Sequence, residues 1–108
     1  MNPYGQPIGP PVSARFPVSE NYIYELRYRT KDQPGAMTMT GWVEEINNST
    51  EDGRYGWKRV IVRFRAIRSH VVSIAGNLTI YALEVEEIGP ATQKAVGGLI
   101  LPPTIGRT

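Results

Sequence analysis

The chain contains no cysteine and one histidine, His70, among its 108 residues. Without thiols there are no disulfides and no thiolate metal sites, and cysteine usage says nothing about redox compartment. A single imidazole cannot build a histidine cluster around zinc, and it leaves no spare base for a Ser-His-Asp arrangement. Charge is nearly balanced: twelve Lys plus Arg against ten Asp plus Glu give a formal net charge of +2. That falls well short of a dedicated nucleic-acid domain. No apolar run approaches bilayer length, and the N-terminal stretch lacks the basic and apolar regions of a signal peptide. Phosphate-cradling glycine loops, EF-hand spacing, fixed-period repeats and long amphipathic helices are all missing. The expectation is a non-enzymatic protein with no cofactor, metal, membrane or small-molecule substrate, in a cytosolic or virion setting.

What is present is alternation. In GWKRVIVRFRAIRSH, residues 56–70, Val60, Val62, Phe64 and Ala66 alternate with Arg59, Ile61, Arg63, Arg65 and Ile67. Successive strand residues point to opposite faces, so this run predicts a core face backed by a basic face. Residues 21–30 alternate likewise, with Tyr22, Tyr24, Leu26 and Tyr28 opposite Ile23, Glu25, Arg27 and Arg29. Pro34-Gly35 predicts a turn, and residues 36–46 predict a second strand in which Gly41 marks a bulge or a close backbone approach. Residues 47–53, NNSTEDG, read as a polar loop. A bend is expected near Ser69. Gly76-Asn77 then has the composition of a two-residue hairpin turn, with residues 78–88 returning as the last long strand.

That hairpin fixes a register. Ala75 would face Leu78, which places Arg63 and Arg65 on one face with Glu84 and Glu86. Its tip, from Val71 to Leu83, would be apolar on both faces and would require a cover on each.

Proline divides the chain. Residues 1–19 hold Pro3, Pro7, Pro10, Pro11 and Pro17, a composition suited to an extended arm and not to a helix interior or central strand. Residues 20–89 form the β-domain. Residues 90–108 are expected to begin with a short helical turn over 91–96 and to end in a second proline-rich tail, LILPPTIGRT. The fold class expected is all-β, a small antiparallel barrel or sandwich built as a β-meander with extended arms at both ends.

The paired carboxylates that acid–base chemistry would need are explained by arginines across the sheet. Two functions remain. The first is a structural subunit of a repetitive assembly, such as a phage or viral particle, forming homo-oligomers or joining other structural subunits. Its contacts would be Ile8, Val12 and Phe16 from one arm, Leu99, Leu101 and Ile105 from the other, and Val72, Ile74 and Tyr81 at the receiving hairpin. The alternative is an OB-like binder of single-stranded nucleic acid through Arg27, Arg29, Trp57, Arg59, Arg63 and Arg65, with phosphates neutralised and bases stacked. It requires the glutamates to lie off the basic face.

Overall fold

The computed structural model describes residues 4–91. Its strands are β1 (Val12–Val18), β2 (Tyr22–Thr30), β3 (Met37–Thr40), β4 (Val43–Asp52), β5 (Lys58–Ala66), β6 (His70–Gly76) and β7 (Ile80–Pro90). They form two antiparallel sheets, one in the order β4-β5-β2-β7 and one in the order β1-β6-β3. The fold is all-β, as the alternation predicts.

The inward face of β5 is the one read from sequence: Val60, Val62, Phe64 and Ala66 are buried. Tyr24, Leu26 and Tyr28 of β2 join them, Val12, Val18, Val72 and Ile74 close the core from the opposite sheet, and Leu78 and Ile80 fill it where the chain crosses back to β7. Phe64 stacks on Tyr24, with ring centroids 5.7 Å apart. Burial of each large apolar side chain contributes about 1.5–3 kcal/mol, so this two-sided cluster is what holds the sheets face to face.

Between β1 and β7 the chain changes sheet five times, which no meander does. Only β4 and β5 are both consecutive and paired within one sheet. The first crossing, from β1 to β2, turns on Asn21, a non-glycine residue with φ of 62°. Its N–H bonds the Ala66 carbonyl, its own carbonyl accepts from Ala91 N, and its side-chain oxygen accepts from Arg65. At the crossing from β3 to β4, Gly41 lies so close to His70 that an added Cβ would stand 2.8 Å from the imidazole Nε2. The same nitrogen accepts the Trp42 N–H at 2.8 Å, while Nδ1 lies 2.7 Å from the Arg68 carbonyl. The close approach expected at Gly41 is therefore present, as a change of sheet.

Four local readings are corrected. Residues 47–52 are not a loop: β4 runs through them and pairs with β5 as far as Asp52↔Lys58. The predicted hairpin at Gly76-Asn77 does not form, because β6 already has β1 on one edge and β3 on the other. β7 must then cross to the other sheet, and residues 77–79 are enough to span the roughly 10 Å between packed sheets. The two-sided apolar tip dissolves with it: Val72, Ile74, Leu78 and Ile80 are buried in the chain's own core. Finally, Val12–Val18, expected to lie in an extended arm reaching a neighbour, is an edge strand on β6. Pro17 is tolerated there because an edge strand leaves one side of its backbone unpaired. The predicted helical turn over residues 91–96, apart from Ala91, and the tail with Leu99, Leu101 and Ile105 lie outside the described residues.

Candidate functional site

The outer face of the four-stranded sheet collects nearly all of the candidate polar residues. Reading across β4, β5, β2 and β7, the rows are Glu44–Arg65–Ile23–Gly89, Asn47–Arg63–Glu25–Glu86, Ser49–Ile61–Arg27–Glu84 and Glu51–Arg59–Arg29–Tyr81. The mixed-sign ladder read from the sequence exists, with different partners. Glu84 and Glu86 belong to Arg27, at 3.3 and 2.9 Å. Arg63 pairs with Glu25 at 2.7 Å, and Arg65 with Glu44 at 3.0 Å. The error traces to the hairpin: β7 runs beside β2, not beside the continuation of β5.

Glu25 is the hub. Its carboxylate accepts from both Arg63 and Arg27, and these bonds hold its pKa below the usual carboxylate range. Arg27 is held more firmly in its charged form by Glu25 and Glu86. With side-chain exposure of 20% for Arg27 and 16% for Glu25, this centre is better shielded than a typical surface pair.

One end of the face differs. Arg29 and Arg59 stand directly opposite each other, and Arg59 reaches Glu51 only at 3.6 Å. Aromatic rings gather around them. Trp57 meets Tyr4 and Tyr81 edge-on at 4.8 and 5.2 Å, the Arg29 guanidinium lies 5.0 Å from the Tyr4 ring, and Lys31 Nζ lies 5.1 Å from Trp57. Tyr81, assigned from sequence to a subunit contact, belongs to this corner. The participation of Tyr4 and Lys31 was not legible from the sequence. Tyr4 sits in a proline-rich stretch, and only the return of that stretch across the sheet brings it to Trp57. That return is visible at Ile8, which exchanges two backbone hydrogen bonds with Ile80, at 2.8 and 2.9 Å.

The second feature is an open seam. Where Ile8–Ile80 bonds link the two sheets on one side, β3 and β4 are the outermost strands of their sheets on the other. Between them lies a cleft of about 250 Å³, lined by Met37 and Met39 of β3, Leu26, Tyr28, Val60 and Val62 of the core, and Glu45, Asn48 and Thr50 of β4. Of the residues expected at subunit contacts, Val12, Val72 and Ile74 are buried, while Ile8 and Phe16 are partly buried against the core. They are engaged within the chain. Among the described residues no three His, Asp or Glu side chains group as metal ligands, and no helix is long and apolar enough to cross a membrane.

The chain matches no protein-family model, no curated protein and no solved structure.

Proposed function

We propose that this protein is a non-enzymatic assembly subunit, and that the seam between β3 and β4 receives a segment of a second copy. The open seam carries the reading. Edge strands present unpaired N–H and C=O groups, and a strand laid beside one gains main-chain hydrogen bonds while its apolar side chains enter the cleft. The floor is apolar and the rim is polar, the usual division of a protein interface. Methionines at the mouth adapt to an incoming side chain without a fixed shape of their own.

The occupant proposed is the segment after Ala91, which contributes Leu99, Ile100, Leu101 and Ile105. Its prolines limit it to an edge position, which the seam offers. They also restrict the free chain, which lowers the entropy lost on docking. It leaves from β7, the strand at the opposite edge of the sheet from β4. Residues 92–108, fully extended, reach roughly 55 Å, enough to pass to a neighbour. The proposed setting, a repetitive complex such as a phage or viral particle, rests on analogy with subunits that exchange terminal arms.

Native mass by light scattering tests this directly. The full chain is expected to form an oligomer, the chain ending at Gly98 to remain folded and monomeric, and Met39→Glu to weaken assembly without unfolding. An unchanged mass in both variants would remove the seam and the tail from the interface.

A further inference from the structure

The Arg29–Arg59 pair is an electrostatic anomaly. Like charges directly opposite on neighbouring strands repel, yet these two arginines are register partners on β2 and β5. Elsewhere on the face Arg27, Arg63 and Arg65 each hold a carboxylate within 3.3 Å. Here Arg59 has only the 3.6 Å contact with Glu51, and Arg29 makes no ion pair among the described residues. Lys31 adds a third cation beside the same aromatic group.

The backbone supplies a recess at that point. The register between β2 and β7 shifts between Arg27 and Arg29, leaving one extra residue on β7. Ala82 takes up the shift with a φ of 53°, the left-handed region that a residue with a Cβ rarely occupies. Such bulges re-aim side chains and often border binding sites. Beside this bulge lies a pocket of about 170 Å³ lined by Tyr4, Arg27, Tyr28, Arg29, Arg59, Ala82 and Glu84. The Glu84 carboxylate in this lining stands 3.3 Å from Arg27.

We propose that this pocket binds the phosphate of a nucleotide, with the base lying against the Tyr4 and Trp57 rings. Planar guanidinium forks match phosphate oxygens, and an anion between Arg29 and Arg59 converts their repulsion into shared attraction. Size limits what enters. Pockets that enclose a drug-sized ligand run to about 300–1,000 Å³, so a recess of this volume takes the phosphate and leaves the base outside. The surface it would meet is aromatic: Tyr4, Trp57 and Tyr81 are all only half-buried. Stacking on such rings is indifferent to base identity, so no sequence preference is expected. This site lies on the outer face of its sheet and does not depend on the assembly reading.

The test titrates the full chain at low salt with inorganic phosphate, adenosine monophosphate and a short oligothymidylate, followed by calorimetry and by tryptophan fluorescence in a Trp42→Phe background. Nucleotide or oligonucleotide is expected to bind more tightly than phosphate and to change Trp57 emission. Arg29→Gln and Arg59→Gln should each weaken binding roughly tenfold and reduce the salt slope by about 1. Arg65→Gln, which removes a paired guanidinium, should leave affinity unchanged. Arg59→Gln should not lower the melting temperature, since it relieves the like-charge pair, and this separates a binding role from a structural one. Tyr4→Leu provides a second variant that leaves the cations in place and should weaken nucleotide without weakening phosphate. Tighter binding of the oligonucleotide with steep salt dependence identifies a strand as the source of the phosphate; equal binding identifies free nucleotide. Either supports the site. No binding by any probe, equal loss in Arg65→Gln, or phosphate binding as tightly as the mononucleotide would overturn it.

Discussion

Glu25 and Thr30 show how differently one polar residue can be held on the same strand. Glu25 lies on the outer face of β2 with its pKa lowered by hydrogen bonds from Arg63 and Arg27. A carboxylate whose folded pKa is depressed adds stability that is present above its unfolded value of about 4.3, and loses it as pH falls through the folded value. Denaturant melts across that acid range should therefore show a falling stability, and Glu25→Gln should flatten the curve; an identical pH slope in the variant would remove Glu25 from the account. Thr30 faces inward and is fully buried. Its hydroxyl donates to the Thr79 carbonyl at 2.8 Å and accepts from Asp32 N at 3.0 Å, while Asp32 Oδ2 accepts from Thr79 N at 2.8 Å. Thr30→Val keeps the shape and strands both backbone groups. Equilibrium unfolding should register a loss of about 1–3 kcal/mol.

The elements are short-range alternation plus decisions made at their ends. β3 and β4 are one strand by composition, broken at Gly41-Trp42 because His70 occupies the space where a side chain would project. Gly41→Ala must push back the imidazole that accepts the Trp42 N–H, and overpacking of this kind costs about 1–3 kcal/mol. Gly35, in the turn before β3, has open space around the corresponding position. Gly35→Ala should stay within about 0.5 kcal/mol of the parent, and comparable melts for the two variants would contradict the crossover geometry. The charged ladder follows the same logic of ends. Because β7 enters beside β2, Arg27 and not Arg63 or Arg65 gathers Glu84 and Glu86. Arg27→Gln, which leaves Glu25, Glu84 and Glu86 without that shared cation, should destabilise more than Arg65→Gln, whose pair is exposed and worth at most about 1 kcal/mol.

At the scale of the whole molecule, the N-terminal segment is part of the fold. Val12 and Val18 are buried in the common core, and Phe16 packs within 6.2 Å of Phe64. Removing the two valines alone forfeits about 3–6 kcal/mol of burial, a large share of the 5–15 kcal/mol that stabilises a typical domain. Deletion of residues 1–19 is therefore expected to abolish cooperative unfolding, read by near-ultraviolet dichroism and thermal melting. A sharp transition in the truncated chain would return β1 to the status of a tail. The two ends of the chain thus divide: one completes a sheet, and the other is proposed to reach a neighbour.

Strand class, the inward faces and the mixed-sign outer face were legible in the residues alone. These depend only on the period-two alternation of Val60 to Ala66 and Tyr22 to Tyr28 and on where apolar side chains must go. The sequence also marked the bend at Ser69 and the close approach at Gly41, because glycine and polar punctuation act locally. Tertiary structure decided which strand stands beside which. A run such as β6 has two edges to fill, and its composition does not say whether β7, β1 or β3 will fill them. That choice follows from which arrangement covers the core on both sides, a property of the whole chain. It dissolved the hairpin at Gly76-Asn77, moved Glu84 and Glu86 to Arg27, and brought Tyr4 across the sheet to Arg29 and Trp57. The candidate site was legible as residue types but not as a place, because its members converge only after two sheets have packed.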